Sequence, residues 1–218
     1  MNPTESTFTS IYQNNGWRSS VTVSGPGSTM LNTRAIRSWL PSVLKQFKIK
    51  SLLDGACGDL NWMKTIDLGD TKYIGSDVVL PLIESNREKF PHLEFLHLDI
   101  TKDTLPDVDC ILLRDCLQHF SYEDLISFFG NVCSNSNIRF MLATSFFLPK
   151  ENSDIRTGMW RPLNLTIPPL DLSFPIVHVI EDPQDSYEDK ILGLWSLDSI
   201  RWINFRTIPG GFTLPATS

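Results

Sequence analysis

Between residues 50 and 146 the chain alternates short, almost continuous apolar runs with segments of helical periodicity. The runs Lys50–Asp54, Lys72–Asp77, Leu93–Asp99, Val108–Asp115 and Ile138–Phe146 read as five strands. Helices are predicted between them, near 60–66, 79–90 and 121–133. Ahead of this block, residues 29–47 repeat apolar positions at Leu31, Ala35, Ile36, Trp39, Leu40, Val43, Leu44 and Phe47, the stripe of one buried helix face. Pro41 should kink or split that helix. The first 28 residues are rich in Ser, Thr, Asn and Gly and end in Ser24-Gly-Pro-Gly-Ser28. Eight of the 14 prolines lie from Pro149 onward, so the remainder should be loop-rich. Strand-like runs at Ile176–Glu181 and Ile191–Leu197 are expected to pair as an antiparallel edge, and the last ten residues read as a tail.

Near-continuous apolar strands are covered on both faces, which predicts an α/β fold with a mostly parallel sheet. Ligands of such sheets sit beyond the carboxyl ends of the strands. The first four runs end there in an aspartate: Asp54, Asp77, Asp99 and Asp115. The loop after the first run is Asp54-Gly-Ala-Cys-Gly-Asp59. Counted from Gly55, the second and third glycines of a dinucleotide fingerprint fall on Cys57 and Leu60, so that pattern fails. No G-K-[ST] phosphate loop is present either. A ligand without phosphates would need glycines only for close backbone approach, and acids for its hydroxyls and amines. Each acid has a plainer reading as a helix N-cap, Asp54 and Asp59 above all.

The D-G-A-C-G-D loop, the acids Asp77 and Asp99, and the segment Arg114-Asp-Cys-Leu-Gln-His-Phe120, in that order, resemble the motifs of class I S-adenosylmethionine-dependent methyltransferases. The resemblance spans residues 34–146; Cys57 departs from it, where many members carry a small or polar residue. It implies a Rossmann-like fold, with a mostly parallel seven-stranded sheet, helices on both faces and an antiparallel edge strand. It also implies S-adenosylmethionine as cofactor and S-adenosylhomocysteine as product. Asp54, Gly55, Ala56 and Gly58 would line the methionine part. Asp77, 19 residues after Gly58 and followed by Val78, would accept both ribose hydroxyls. Asp99 and Ile100 would meet the adenine, while Arg114 and Asp115 would lie under the methionyl group and face the acceptor. Ser24, Gly25 and Ser28, in a glycine-flanked loop leading into the first helical stripe, suit the cofactor's carboxylate; a flexible entry loop is the plainer reading. Trp17 reads as a core anchor in preference to a cover for the pocket.

Methyl transfer from a sulfonium to a hydroxyl needs the reactants aligned and a proton removed. His119 is the candidate base, against the alternative of a histidine that packs the following helix. His97 and His178 lie in strand-like runs and His92 reads as surface. Asp115-Cys116-Leu117-Gln118 lacks the prolines of enzymes acting on planar nitrogens, and Cys116 lacks the preceding proline of a cytosine-C5 nucleophile. After the fifth strand, Asn152, Arg156, Trp160, Arg161 and Asn164 mix hydrogen-bonding groups with one stacking surface, with Asp154 among them. They suggest a polar small-molecule or glycan acceptor, or else a structural loop. This segment resembles small bacterial and viral methyltransferases associated with glycan building. Three other readings stay open: a nitrogen or protein side-chain acceptor, an idle S-adenosylmethionine- or nucleoside-binding module, and a nicotinamide-dependent oxidoreductase.

Composition narrows the setting. At 218 residues with 41% hydrophobic and 20% charged positions, the chain suits one globular domain. It divides into an N-terminal cap loop and helix (1–47), a cofactor-binding core (48–146), an acceptor-side loop (147–175), C-terminal strands (176–208) and a tail (209–218). A net charge of −6 disfavours bulk nucleic-acid binding. Cys57, Cys110, Cys116 and Cys133 show no C-x-x-C spacing and read as buried free thiols, with no metal site expected. The polar N-terminus and the interrupted apolar patch at 140–148 predict a cytoplasmic protein with no membrane partner; oligomeric state is left open.

Overall fold

The computed structural model describes residues 2–181 and 187–201. Its strands are β1 (Ser51–Asp54), β2 (Lys72–Asp77), β3 (Glu94–His97), β4 (Cys110–Leu113), β5 (Phe140–Phe146), β6 (Val177–Ile180) and β7 (Lys190–Ser196). They form one sheet in the order β3-β2-β1-β4-β5-β7-β6. The first five strands run parallel. β7 runs antiparallel to both β5 and β6. The antiparallel edge expected from the sequence is therefore the β6–β7 pair, with the reversed strand one place in from the rim.

Side chains of a strand alternate between faces, and here both faces are covered. Leu52, Cys110 and Leu112 point to one side, where α2 (Arg34–Gln46) brings Ile36, Leu40, Val43 and Leu44 and α3 (Leu80–Lys89) brings Ile83. Leu53, Ile111 and Leu113 point to the other, against Leu125, Phe128, Phe129 and Val132 of α4 (Tyr122–Ser134) and Leu197 and Ile200 of α5 (Leu197–Ile200). From β1 the chain steps outward to β3, then returns to lay β4 on β1's other side. That reversal opens a crevice between the carboxyl ends of β1 and β4.

Several boundaries differ from expectation, each for a local reason. α2 begins at Arg34, after a 3-10 turn at Pro26–Ser28, and continues unsplit through Pro41. The proline removes one backbone donor, while its four buried neighbours keep the helix on the sheet. The helix expected at 60–66 is only a 3-10 turn at Met63–Thr65, because Leu60 sits in the left-handed region at φ 55. β3 and β4 stop two residues short of Asp99 and Asp115, so only Asp54 and Asp77 end their strands. The N-terminal segment, read as loop, contains α1 (Pro3–Gln13). Its start carries a reciprocal cap: Glu5 N donates to Asn2 Oδ1 (2.8 Å) and Asn2 N to Glu5 Oε2 (3.3 Å), with Pro3 in the first turn. The expected tail lies outside the described residues. Among the described residues, no helix is long and apolar enough to cross a membrane.

Phe128 is fully buried between α4 and the sheet. Replacing it with alanine should cost about 3–5 kcal/mol, read as a lower urea midpoint at unchanged slope.

Candidate active site

A cleft of about 450 Å³ opens at the crevice, within the roughly 300–1,000 Å³ usual for small-molecule sites. The loops after β1, β2, β3 and β4, the 24–28 segment and α1 line it. Asp54 is buried at the end of β1, where Tyr73 donates to its Oδ2 (2.9 Å) and Ser76 to its carbonyl (3.0 Å). Burial pushes its carboxyl up to about 7, opposed by the Tyr73 hydrogen bond and reinforced by the Asp77 charge. The two loop glycines answer different needs. At Gly55 a Cβ would meet Leu113 Cδ2 at 2.9 Å, so its glycine serves the packing of β1 on β4. At Gly58 the backbone is left-handed (φ 56), and a Cβ would fall 1.9 Å from Ser24 Oγ.

Asp77 holds this loop from the next strand: its Oδ2 accepts from Gly58 N (3.2 Å) and its Oδ1 from Val79 N (3.0 Å). Burial raises its pKa against those two hydrogen bonds. Asp77 and Val78 both line the cleft. Asp59 is not a helix cap. It accepts from Thr22 Oγ1 (2.7 Å) and Val23 N (3.1 Å), tying the loop after β1 to the N-terminal segment. Asp99 and Ile100 line the far end of the cleft. Asp99 is already engaged by Thr101 Oγ1 (2.6 Å), Thr101 N (3.0 Å), Asn2 Nδ2 (3.1 Å) and Lys102 Nζ (3.4 Å).

Arg114 and Asp115 follow β4 into a compact charge cluster. Arg114 Nη2 reaches Glu181 Oε2 (2.7 Å) and the Gly27 carbonyl (2.8 Å), and Nη1 reaches Asp115 (3.0 Å) and Ser28 Oγ (3.4 Å). Lys190 Nζ bridges Asp115 (2.7 Å) and Glu181 (3.1 Å). Although burial opposes it, the Arg114 and Lys190 charges hold the Asp115 carboxyl well below the usual carboxylate range. Among the described residues, Arg114 Nε and Glu181 Oε1 are buried without a partner.

His119 ends a 3-10 turn after β4, with its Nδ1 2.9 Å from the Met159 carbonyl. A carbonyl only accepts, so Nδ1 carries the proton and Nε2 of the neutral ring is an acceptor. Burial lowers the His119 pKa, the Met159 carbonyl opposing, which keeps the ring neutral near pH 7. The Trp17 ring lies tilted against it, centroids 4.5 Å apart; it lines the cleft and is no core anchor.

No protein-family model matches the chain, and no curated protein matches it significantly. Solved structures do resemble it. Human N-acetylserotonin methyltransferase in complex with SAM superposes with a TM-score of 0.61 at 16% identity, over 88% of this chain and 59% of that one. The N-methyltransferase NodS of Bradyrhizobium japonicum, in complex with S-adenosyl-L-homocysteine, gives 0.60 at 14%, over 85% and 97%. Magnesium protoporphyrin IX methyltransferase of Synechocystis with bound SAM gives 0.57 at 12%, over 89% and 97%. The chain has the class I methyltransferase fold.

Within this methyltransferase fold the loop after β5 is arranged otherwise than its composition suggests. Asn152 donates to the Asn164 (2.8 Å) and Pro168 (3.0 Å) carbonyls and accepts from Asn164 N (2.9 Å), while Asn164 donates to the Pro149 carbonyl (3.2 Å). Arg161 is buried, with Nη1 on the Phe120 carbonyl (2.6 Å) and its guanidinium over Tyr122. Neither asparagine nor Arg161 lines the cleft, nor does Arg156; of the five residues only Trp160 does. It joins Phe146 and Tyr187 in a three-ring wall. Glu181, Lys190 and Tyr187 went unnoticed in the sequence, since their place depends on β7 doubling back along β5, and Phe146 was read only as the end of a strand. The α1 residues Thr4, Phe8 and Tyr12 also line the cleft, and the missed N-P-x-E cap was their one signal.

The raised Asp54 carboxyl has a signed consequence. Between its ordinary 3.8 and about 7 the folded state holds a proton that the unfolded chain releases, so stability falls as pH rises through that window. Asp54→Asn should flatten that fall relative to the native protein, measured as urea midpoints from pH 4 to 8.

Proposed function

We propose that this protein is an S-adenosylmethionine-dependent methyltransferase, one domain throughout, that methylates a hydroxyl of a small molecule. The observation that carries the reading is a neutral His119, its proton fixed on Nδ1, in the same cleft as the Asp54–Gly58 loop and Asp77. The cofactor or product bound in the three superposed methyltransferases supports the choice of ligand. The residues present fit it. Gly58 brings backbone close where a Cβ could not sit, and the unpartnered Arg114 Nε and Glu181 Oε1 match an amino acid's carboxylate and ammonium.

In this reading Asp54, Gly55, Ala56 and Gly58 line the methionine part, with Ser24, Gly25, Ser28 and Arg114 facing its carboxylate. Asp77 and Val78 take the ribose, and Asp99 and Ile100 flank the adenine. S-adenosylmethionine supplies an electrophilic methyl group, the sulfur keeping the bond's electron pair. His119 Nε2 takes the acceptor's proton as its oxygen bonds carbon. Asp115, locked in its ion pairs, keeps Arg114 and Lys190 in place beneath. The polar acceptor suggested by Asn152, Arg156, Arg161 and Asn164 loses its basis, because those side chains do not line the cleft. We take the protein to act in the cytoplasm, where its four free thiols stay reduced.

Calorimetric titration with S-adenosylmethionine, S-adenosylhomocysteine and NAD tests the reading: micromolar binding of the first two alone is expected, and binding of NAD alone would overturn it. Asp77→Ala, checked to be folded, should weaken S-adenosylhomocysteine binding by roughly 2–4 kcal/mol in the same titration. His119→Ala should leave that affinity nearly intact while cutting methyl transfer about 10²–10⁴-fold in a single-turnover assay; normal turnover would return His119 to a packing role.

A further inference from the structure

Resting on that reading, we propose that the acceptor is a neutral hydroxyarene, a flat aromatic ring bearing the hydroxyl that is methylated. The wall beside His119 is aromatic. Trp17 lies 4.5 Å from the imidazole, and Trp160 packs against Tyr187 at 5.1 Å and Phe146 at 6.0 Å. Trp160 and Tyr187 are 40% and 37% exposed, a large apolar area left open inside a cleft. Flat rings stack on such walls in offset or edge-on geometry.

The stacking wall and the base are held as one unit. Gly158 N donates to the His119 carbonyl (2.9 Å), His119 Nδ1 to the Met159 carbonyl (2.9 Å) and Arg161 N to the Gln118 carbonyl (3.2 Å). Trp160 sits inside this three-bond stitch, which ties its backbone to the turn that carries His119.

Charge and hydrogen bonding at the aromatic end disfavour the competing classes. The cations at this end, Arg114 and Lys190, are paired with Asp115 and Glu181, and Arg114 is already assigned to the cofactor's carboxylate, so a phosphate or carboxylate on the acceptor would compete with these pairs. A sugar needs partners for several hydroxyls, and the loop's asparagines are spent within the loop. The chemistry agrees. A neutral imidazole takes a proton more readily from an aryl hydroxyl, with a pKa of about 10, than from the less acidic alcohol of a sugar. The aryl O–CH3 bond forms, the S–CH3 bond breaks with its electrons on sulfur, and the proton moves to Nε2.

The test loads the protein with S-adenosylhomocysteine and titrates phenol, catechol, 2-naphthol, methyl β-glucoside and glucose 6-phosphate by calorimetry, then repeats with S-adenosylmethionine and looks for methyl ethers. Binding and O-methylation of at least one hydroxyarene, with neither sugar bound, is expected. Trp160→Ala should weaken that hydroxyarene tenfold or more while S-adenosylhomocysteine affinity stays within twofold. No hydroxyarene bound by the loaded protein, or a sugar methylated in preference, overturns the substrate class and leaves the cofactor reading standing. Failure to bind S-adenosylhomocysteine at all overturns both.

Discussion

Arg114 is the point at which the carboxyl end of the sheet is tied together. A guanidinium taken out of water costs several kcal/mol unless it is paired and its donors are used. Here Glu181 and Asp115 supply two carboxylates, the Gly27 carbonyl and Ser28 hydroxyl supply neutral acceptors, and Lys190 balances the second negative charge. Two cations and two anions close on themselves. The partners come from the N-terminal loop, the turn after β4, the residue after β6 and the first residue of β7. Moving any one of these segments would leave a buried charge exposed to its neighbours without compensation. The cleft therefore has a rigid floor made from residues more than 150 positions apart in the chain. Asp115 accepts a left-handed backbone (φ 50) to join it, held there by its N–H on Thr144 Oγ1 at 2.9 Å.

A second constraint acts from above. At Gly158 (φ 93) a Cβ would come within 2.5 Å of Thr7 Cγ2, so α1 lies directly on the turn that carries Met159 and Trp160. The same helix reaches Asp99 through Asn2 at its first turn and packs Phe8 on Phe120. One short amphipathic segment thus spans the cleft from the end of β3 to the loop after β5.

The sheet was legible because its signal is local. Near-continuous apolar runs mark strands covered on both faces, and β2 falls on Lys72–Asp77 as its run does. The acids at the ends of β1 and β2 were equally legible, since a strand's register carries its last residue to the crevice. What escaped was long-range or backbone-driven. Leu60 in a left-handed conformation prevented the start of a helix that the apolar pattern predicted, and α1 was hidden by a Ser- and Thr-rich composition that outweighed its cap. The loop after β5 misled because hydrogen-bonding side chains there satisfy its own carbonyls, as a proline-rich segment with few internal backbone partners requires. Glu181 and Lys190 had no local mark at all; only the pairing of β6 with β7 sets them beside Arg114.

The acids around the cleft fall into two groups, and the division carries chemical meaning. Burial lifts both Asp54 and Asp77, and the Asp77 charge lifts Asp54 further, with Arg114 only a minor counterweight. In their half of the cleft Asp54 keeps its proton up to about pH 7, and its ionised form is poorly compensated. Asp115 is driven the other way by Arg114 and Lys190, so its half is electrically closed. An uncompensated carboxylate in low dielectric attracts a cation and is itself re-ionised by one. A ligand with positive charge at one end is drawn to the first half, while the second half, walled by Trp17, Phe146, Trp160 and Tyr187, rewards a neutral flat partner. The asymmetry sets the direction in which two reactants must enter if they are to meet at His119.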